Sequence, residues 1–410
     1  VNREVRYPQT ISEAMNASEY GDTIIVYPGT YLERVTVKSG VSLYGVGLPV
    51  IDATGISGYG SSIEIAGVHD VVVSGFSLKG GANTSWSNVE GVAIRDLNNV
   101  GGVSSYNVII SNCVFTGIIP RELEPYSLGI GVVVYGYGDE RLGHPSCHDI
   151  VIEDCYFTDC NPTNLNGITV GYITVIGNVT NITIRNNTII HRYSRYNSLA
   201  NGINFSGNYT PAYPANPRYV HVVGNYIEGE YPDTRPSQSI YLNVTAYAVV
   251  ERNYIKNWSF GPMAAAEAGN LDEFTCHDII IRRNIIEAYY YGVTVASWSS
   301  FYKQVYNIWV DSNTIRSDVL ITDANGQDRA YNLLFTNNII TGDISSSYIH
   351  DNPFYGTQTE DVIRIDNLST ETPDWVTYNT EELDYHGTKQ KRTKGAEEKQ
   401  WIRRKLARKY

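Results

Sequence analysis

Residues 247–255 read YAVVERNYI: a short apolar strand, two polar residues, an Asn, and an apolar position two residues further on. Aligned on that Asn, the pattern recurs as NITIRNNTI ending at Ile189, YVHVVGNYI ending at Ile227, DIIIRRNII ending at Ile286, NIWVDSNTI ending at Ile315 and NLLFTNNII ending at Ile340. Earlier copies place another residue in the slot: DVVVSGFSL with Phe76, NVIISNCVF with Cys113 and DIVIEDCYF with Cys155. The slot falls at 76, 113, 155, 187, 225, 253, 284, 313 and 338, at intervals of 37, 42, 32, 38, 28, 31, 29 and 25 residues. A constant core with insertions of variable length is the mark of a solenoid in which each coil is one repeat.

An Asn suits such a slot for two reasons. Where one strand hands over to the next, the backbone is expected to enter the left-handed region, which Asn tolerates better than most residues. Stacked coils also bring successive side chains to about 4.8 Å, the inter-strand spacing, so that their amides can bond into a ladder. The expected ladder runs through Cys113, Cys155, Asn187, Asn225, Asn253, Asn284, Asn313 and Asn338.

At 410 residues the chain has room for several ordinary domains, but the repeat overrides that prior and predicts one unit. Tyr is abundant at 33, while Met at 2 and Phe at 9 are scarce. The last 22 residues, from Lys389 to Tyr410, hold ten Lys or Arg and two Glu, so the net charge of −12 divides into +8 for this tail and −20 for the rest. An acidic body is a poor surface for nucleic acid, which leaves the tail as the one place for it. No apolar run approaches the roughly 18 residues a membrane span needs. The chain opens Val1-Asn2-Arg3, as a removed leader would leave it.

Five cysteines are an odd count. Cys113 and Cys155 occupy neighbouring slots, where a disulfide and a pair of buried thiols both satisfy the spacing; thiols are the expectation. Cys147 and Cys276 sit in matched CHDI tetrapeptides but four coils apart, near 19 Å at about 4.8 Å per coil, too far to bridge or share a metal. No metal or cofactor pattern is read.

Taken in order, Thr10-Ile11-Ser12-Glu13 is a capping box, followed by an apolar face at Ile11, Ala14 and Met15 that predicts a short helix over the first coil. Residues 21–33 read as a strand, a Pro-Gly turn and a second strand, and residues 35–55 as further strands with Gly at the corners. This opening, with the ladder that follows, resembles right-handed parallel β-helix proteins of the pectate-lyase-like superfamily, over residues 7 to about 345. The resemblance implies an all-β chain: one right-handed parallel β-helix of about 10–12 coils, an N-terminal capping helix and a basic C-terminal tail. The boundaries expected are 1–20 for the cap, 21–345 for the β-helix, 346–387 for a wrap and 388–410 for the tail. Variable stretches at 97–106, 136–148, 206–218, 268–277, 297–304 and 323–330 interrupt one point of the repeat and are expected to emerge on one side.

The scaffold alone does not imply an activity. The resemblance implies esterase, hydrolase or lyase signatures that this chain lacks. Gly326-Gln327-Asp328-Arg329 is its only Gln-Asp, Gly143-His144-Pro145 stands where a Gly-His-Gly would be required, and no Trp-Ile-Asp-His occurs. Paired carboxylates for acid/base work on a sugar are sought in the loops, at Asp139, Glu140 and His144 and at Asp272 and Glu273. His69, His148 and His277, each before an Asp, read as corner residues bonded to backbone. Tyr135, Tyr137, Tyr209, Tyr213, Trp298 and Tyr302 offer flat faces with polar tips, suited to sugars or to a neighbouring protein. Trp86 and Tyr289, Tyr290 and Tyr291 belong with them.

Ten Asn-x-Ser/Thr sequons occur, with Asn83, Asn208, Asn243 and Asn257 the glycosylation candidates. The Lys-poor, Tyr- and Asn-rich composition resembles surface and virion proteins of thermophilic archaea and their viruses. In the tail, Trp401, Arg403, Arg404, Lys405 and Arg408 suit docking to an acidic partner. Two functions are therefore expected. The first is an extracellular or virion-surface structural β-helix, with glycan binding as an additional role, anchored in a larger assembly by its basic tail. The alternative is a polysaccharide lyase or glycoside hydrolase with an unfamiliar site on the loop side.

Overall fold

The computed structural model describes residues 1–56, 60–80, 89–97, 103–119, 128–137, 147–160, 171–192, 201–207, 215–229, 237–266, 275–297, 304–323 and 330–342, with the backbone alone of 344–347, 362–365 and 368–369. Their strands form three parallel sheets of 13, 12 and 11 strands. One coil shows the plan: Ala246–Glu251 lies in the first sheet, Tyr254–Lys256 in the second and Phe260–Ala266 in the third, before Cys276–Arg282 re-enters the first. Each strand pairs in parallel with its counterparts one coil before and after. The solenoid expected from the repeat, and the right-handed parallel β-helix that the resemblance implies, is the fold observed.

Strand alternation explains the core. In the first sheet Val71, Val108, Ile150, Ile182, Val220, Ala248, Ile279, Ile308 and Leu333 stand in one register column and all point inward. Each is at most 2 % exposed. Burying a large aliphatic side chain in such a file is worth about 1.5–3 kcal/mol, and the period of two puts the next residue of every strand outside.

The ladder is present from Asn187 to Asn338. Asn225 donates its backbone N–H and Nδ2 to Oδ1 of Asn253, both at 2.9 Å, and its Nδ2 also reaches Ile184 O at 3.0 Å. Asn187, Asn253, Asn284 and Asn313 repeat the same contacts with their successors. At the other end the N–H of Cys155 donates to Asn187 Oδ1 at 3.0 Å. Cys113 and Cys155 are free thiols, as are Cys147, Cys160 and Cys276, and all five are buried.

One expectation is corrected. The left-handed residue at the corner is not the ladder residue but the one before it: Asn112, Asp154, Asn186, Arg252, Arg283, Ser312 and Asn337 have φ between 52° and 57°, with Gly75 and Gly224 completing the column. The ladder Asn is chosen for its amide, which needs a buried, ordinary backbone position to reach both neighbours. A second left-handed column opens the first-sheet strands at Asp70, Asn107, Asp149, Asn181, Tyr219, Tyr247, Asp278, Asn307 and Asn332. There Asn107 donates to Asp70, Asn181 to Asp149 and Asn307 to Asp278.

The helix spans Ile11–Asn16; the Glu13 N–H donates to Thr10 Oγ1 at 3.2 Å, and Ile11 and Met15 join the core. Inside the segment expected as a cap, Asn2–Val5 already forms the first strand of the first sheet. Beyond residue 345, Val362–Ile365 and Leu368–Ser369 extend the first and second sheets.

Candidate functional site

The loops do not leave from one point of the coil. The stretches expected from the sequence all join the third sheet to the first, but residues 81–88, 119–128, 159–170, 191–200 and 229–237 join the second sheet to the third. Both long edges of the third sheet therefore carry the variable connections, and its outer face lies between them. By contrast, first and second sheets meet through a short corner in every coil, such as 252–253.

The outward columns of the third sheet follow from the register. One runs Ala66, Arg95, Tyr135, Ile176, Ser206, Asn243, Ala265, Ala296 and Thr322. A second runs Glu64, Ala93, Val133, Thr174, Asn204, Tyr241, Met263, Thr294 and Leu320. Their apolar members pack in two small clusters outside the main core, around Val133 and around Met263. From Asn243 to Ala296 the first column is buried, whereas Ala66, Arg95, Tyr135, Ile176 and Ser206 are partly exposed on five successive coils.

That exposed strip sets an ion cluster beside an aromatic pair. Arg95 stands between two carboxylates, with Nε 2.9 Å from Glu64 Oε1 and Nη2 2.5 Å from Glu90 Oε2. Ser61 Oγ donates to the other Glu64 oxygen at 2.6 Å. Burial pushes the Glu90 carboxyl above the usual range, against the pull of Arg95 and with a further push from Glu64. Burial also works against charge on Arg95, but Glu90 and Glu64 outweigh it and hold the guanidinium protonated. One coil on, Tyr135 lies under the Arg95 guanidinium at 5.7 Å and stacks on Tyr137 at 5.6 Å and 25°. Behind them the buried Asp96 accepts from the Tyr137 N–H at 2.7 Å and from the Cys147 thiol at 3.0 Å. Burial beside that carboxylate pushes the Cys147 thiol well up, so it is a structural donor and not a nucleophile.

A second aromatic group sits on the opposite edge, where the connections are short. Tyr289 and Tyr290, about half exposed, meet edge to face at 4.5 Å, and Phe260 lies 6.1 Å from Tyr290 and 5.7 Å from Tyr291.

Of the residues singled out from sequence, Tyr135 and Tyr137 are brought together. Asp139, Glu140, His144, Asp272, Glu273, Tyr209, Tyr213, Trp298 and Tyr302 lie outside the described residues, as do Trp86, Asn83, Asn208 and the tail residues Trp401, Arg403, Arg404, Lys405 and Arg408. Asn243 is buried at 4 % exposure, where a glycan would displace its packing, while Asn257 is exposed at a left-handed corner. The main chains of His69, His148 and His277 make backbone bonds, to Gly40 N–H, Ser105 O and Thr245 O, while their imidazoles turn to carboxylates. Each Nδ1 meets the next carboxylate, Asp70 at 2.9 Å, Asp149 at 2.7 Å and Asp278 at 2.8 Å. Tyr106 is sandwiched between His69 and His148, at 4.7 and 5.0 Å, so these rings spend their faces on one another.

Glu64, Glu90 and Arg95 were not singled out from sequence. No motif joins them, and the only available signal was an acidic residue and an arginine five apart in VEGVAIR, next to a strand with Glu64 in the matching place.

No protein-family model matches the chain, and no curated protein does. Solved structures do match in fold. The PL6 family alginate lyase AlyGC superposes with a TM-score of 0.54 at 16% identity, over 90% of this chain and 51% of that one. The mannuronan C-5 epimerase AlgE6 A-module of Azotobacter vinelandii gives 0.50 at 14% identity, over 88% of this chain and 93% of that module. The chain thus spans about half the length of the lyase. At this identity the likeness concerns the β-helix itself.

Proposed function

We propose that this is a glycan-binding β-helix of a cell or virion surface, with its ligand held along the strip of Arg95, Tyr135, Ile176 and Ser206. The observation that carries the reading is the stacked Tyr135–Tyr137 pair beneath Arg95, partly exposed on the one sheet whose two edges bear all the long connections. Tyrosine faces accept the apolar side of a pyranose while their hydroxyls meet its polar rim. The basic segment 389–410 is proposed to dock the body to an acidic partner in a larger assembly, and its deletion should abolish assembly while leaving the β-helix folded.

The test is binding to immobilised oligosaccharides. The double variant Tyr135→Ala/Tyr137→Ala should lose about tenfold or more in affinity with its unfolding midpoint nearly unchanged. Undiminished binding would remove the reading.

One observation favours a second reading as a polysaccharide-active enzyme: Glu90 is a buried carboxyl held up in its titration beside Glu64, the environment of a general acid. Release of new reducing or unsaturated ends by the native chain, abolished in Glu90→Gln, would establish it.

A further inference from the structure

We infer that the strip selects uncharged sugars over uronate-bearing polymers, a refinement that rests on the glycan-binding reading. Arg95 is the only cation among the described outward-facing residues of the third sheet, and two carboxylates already share it, Glu64 at Nε (2.9 Å) and Glu90 at Nη2 (2.5 Å). A ligand carboxylate reaching the guanidinium would be a third anion on one cation, sharing it with both glutamates or displacing one. Any displacement of the Glu90 side chain, 6% exposed, would leave a buried charge with neither its counter-ion nor water. Glu64 is fixed in place by Ser61 and is 27% exposed, so it presents negative charge at the point where the anion would arrive.

The rest of the strip carries no cation; beside it Arg34 shares the attraction of Glu64 and donates to Ile56 O at 3.1 Å. Asp96 lies directly behind Tyr137, and Ile176 and Ser206 are uncharged. A neutral pyranose needs only the ring faces, the hydroxyls and the carboxylate oxygens as acceptors for its own O–H groups.

The experiment is an array of neutral gluco-, galacto-, manno- and xylo-oligosaccharides beside mannuronate, guluronate and galacturonate oligomers. It is probed with the full chain at low and physiological salt, with and without calcium. Neutral ligands should bind at least about tenfold more tightly than acidic ones, with little dependence on salt, and Glu64→Gln should narrow that gap by removing a carboxylate from Arg95 Nε. Should Glu64→Gln fail to fold, the salt series on the native chain carries the same test, since weak acidic binding must strengthen as repulsion is screened. Acidic oligomers bound as tightly as neutral ones, in calcium or without it, would overturn the inference and leave the glycan surface standing. Binding to neither class would overturn the glycan surface as well.

Discussion

The corner between the first and second sheets and the outer face of the third sheet belong to the same coils but obey opposite rules. At the corner, Asn187, Asn225, Asn253, Asn284 and Asn313 make the same pair of bonds to the next Oδ1, always at 2.9 or 3.0 Å. On the outer face the aligned residues run Arg95, Tyr135, Ile176, Ser206 and Asn243, a different chemistry on every coil. A ladder works only if each rung is identical, because every amide completes the valences of its neighbours. A surface that meets a ligand has no such requirement, and the sheet beneath tolerates whatever its outward positions carry. Within one repeat the corner thus restates a single set of bonds, while the outer face is left free to vary, as the proposed binding role would use it.

Cutting a rung is the strongest way to break that contrast. Asn253→Ala removes Oδ1, which accepts from Asn225 N–H and Nδ2, and removes the donors to Val222 O and Asn284 Oδ1, all in a buried setting. With several groups left unsatisfied, urea unfolding should show a loss of about 3–5 kcal/mol; a loss below about 1 kcal/mol would mean that the ladder decorates the corner without holding it.

Next in size is Arg95→Met on the outer face. It strands Glu90 without its counter-ion and should cost about 3 kcal/mol at neutral pH. Because burial already raises the Glu90 carboxyl, the variant can recover by taking up a proton, so its deficit should shrink as the pH is lowered.

A smaller effect separates the first sheet's outer face from both. Glu251 accepts from His221 at 3.1 Å and Arg282 at 2.6 Å, and these bonds hold its carboxyl down at about 2 from an ordinary 4.5. Its folded value lies below its unfolded one, so the stabilisation is complete above pH 4.5 and disappears as the pH falls towards 2. Glu251→Gln should flatten the stability profile across that window and cost about 1–2 kcal/mol at pH 7, since both partners are partly exposed and screened.

The smallest change tests the corrected corner. Arg252 is exposed at φ 54°, so Arg252→Gly should gain about 0.5 kcal/mol by relieving the left-handed backbone. The same substitution at Asn253 should instead destabilise.

Much of the fold could be read in advance. The spacing of the slot residues, the apolar positions flanking them and the Thr10–Glu13 box all recur in the structure where expected. The left-handed position was misjudged by one residue, because Asn112, Asn186 and Asn337 stand directly before ladder residues and the two roles overlap in composition. The third sheet went largely unread. Its strands, such as Gly171–Gly177 and Asn201–Ser206, follow connections of changing length and so do not align with the repeat.

Coil period, ladder and inward columns were settled by the chain's residues alone, because stacking forces each coil to restate the same local requirement, and restatement is visible as a pattern. That Glu64, Arg95 and Tyr135 share one exposed strip was decided only when the coils closed. Outward positions repeat nothing, and the register that aligns them passes through two variable connections whose lengths carry no local signal.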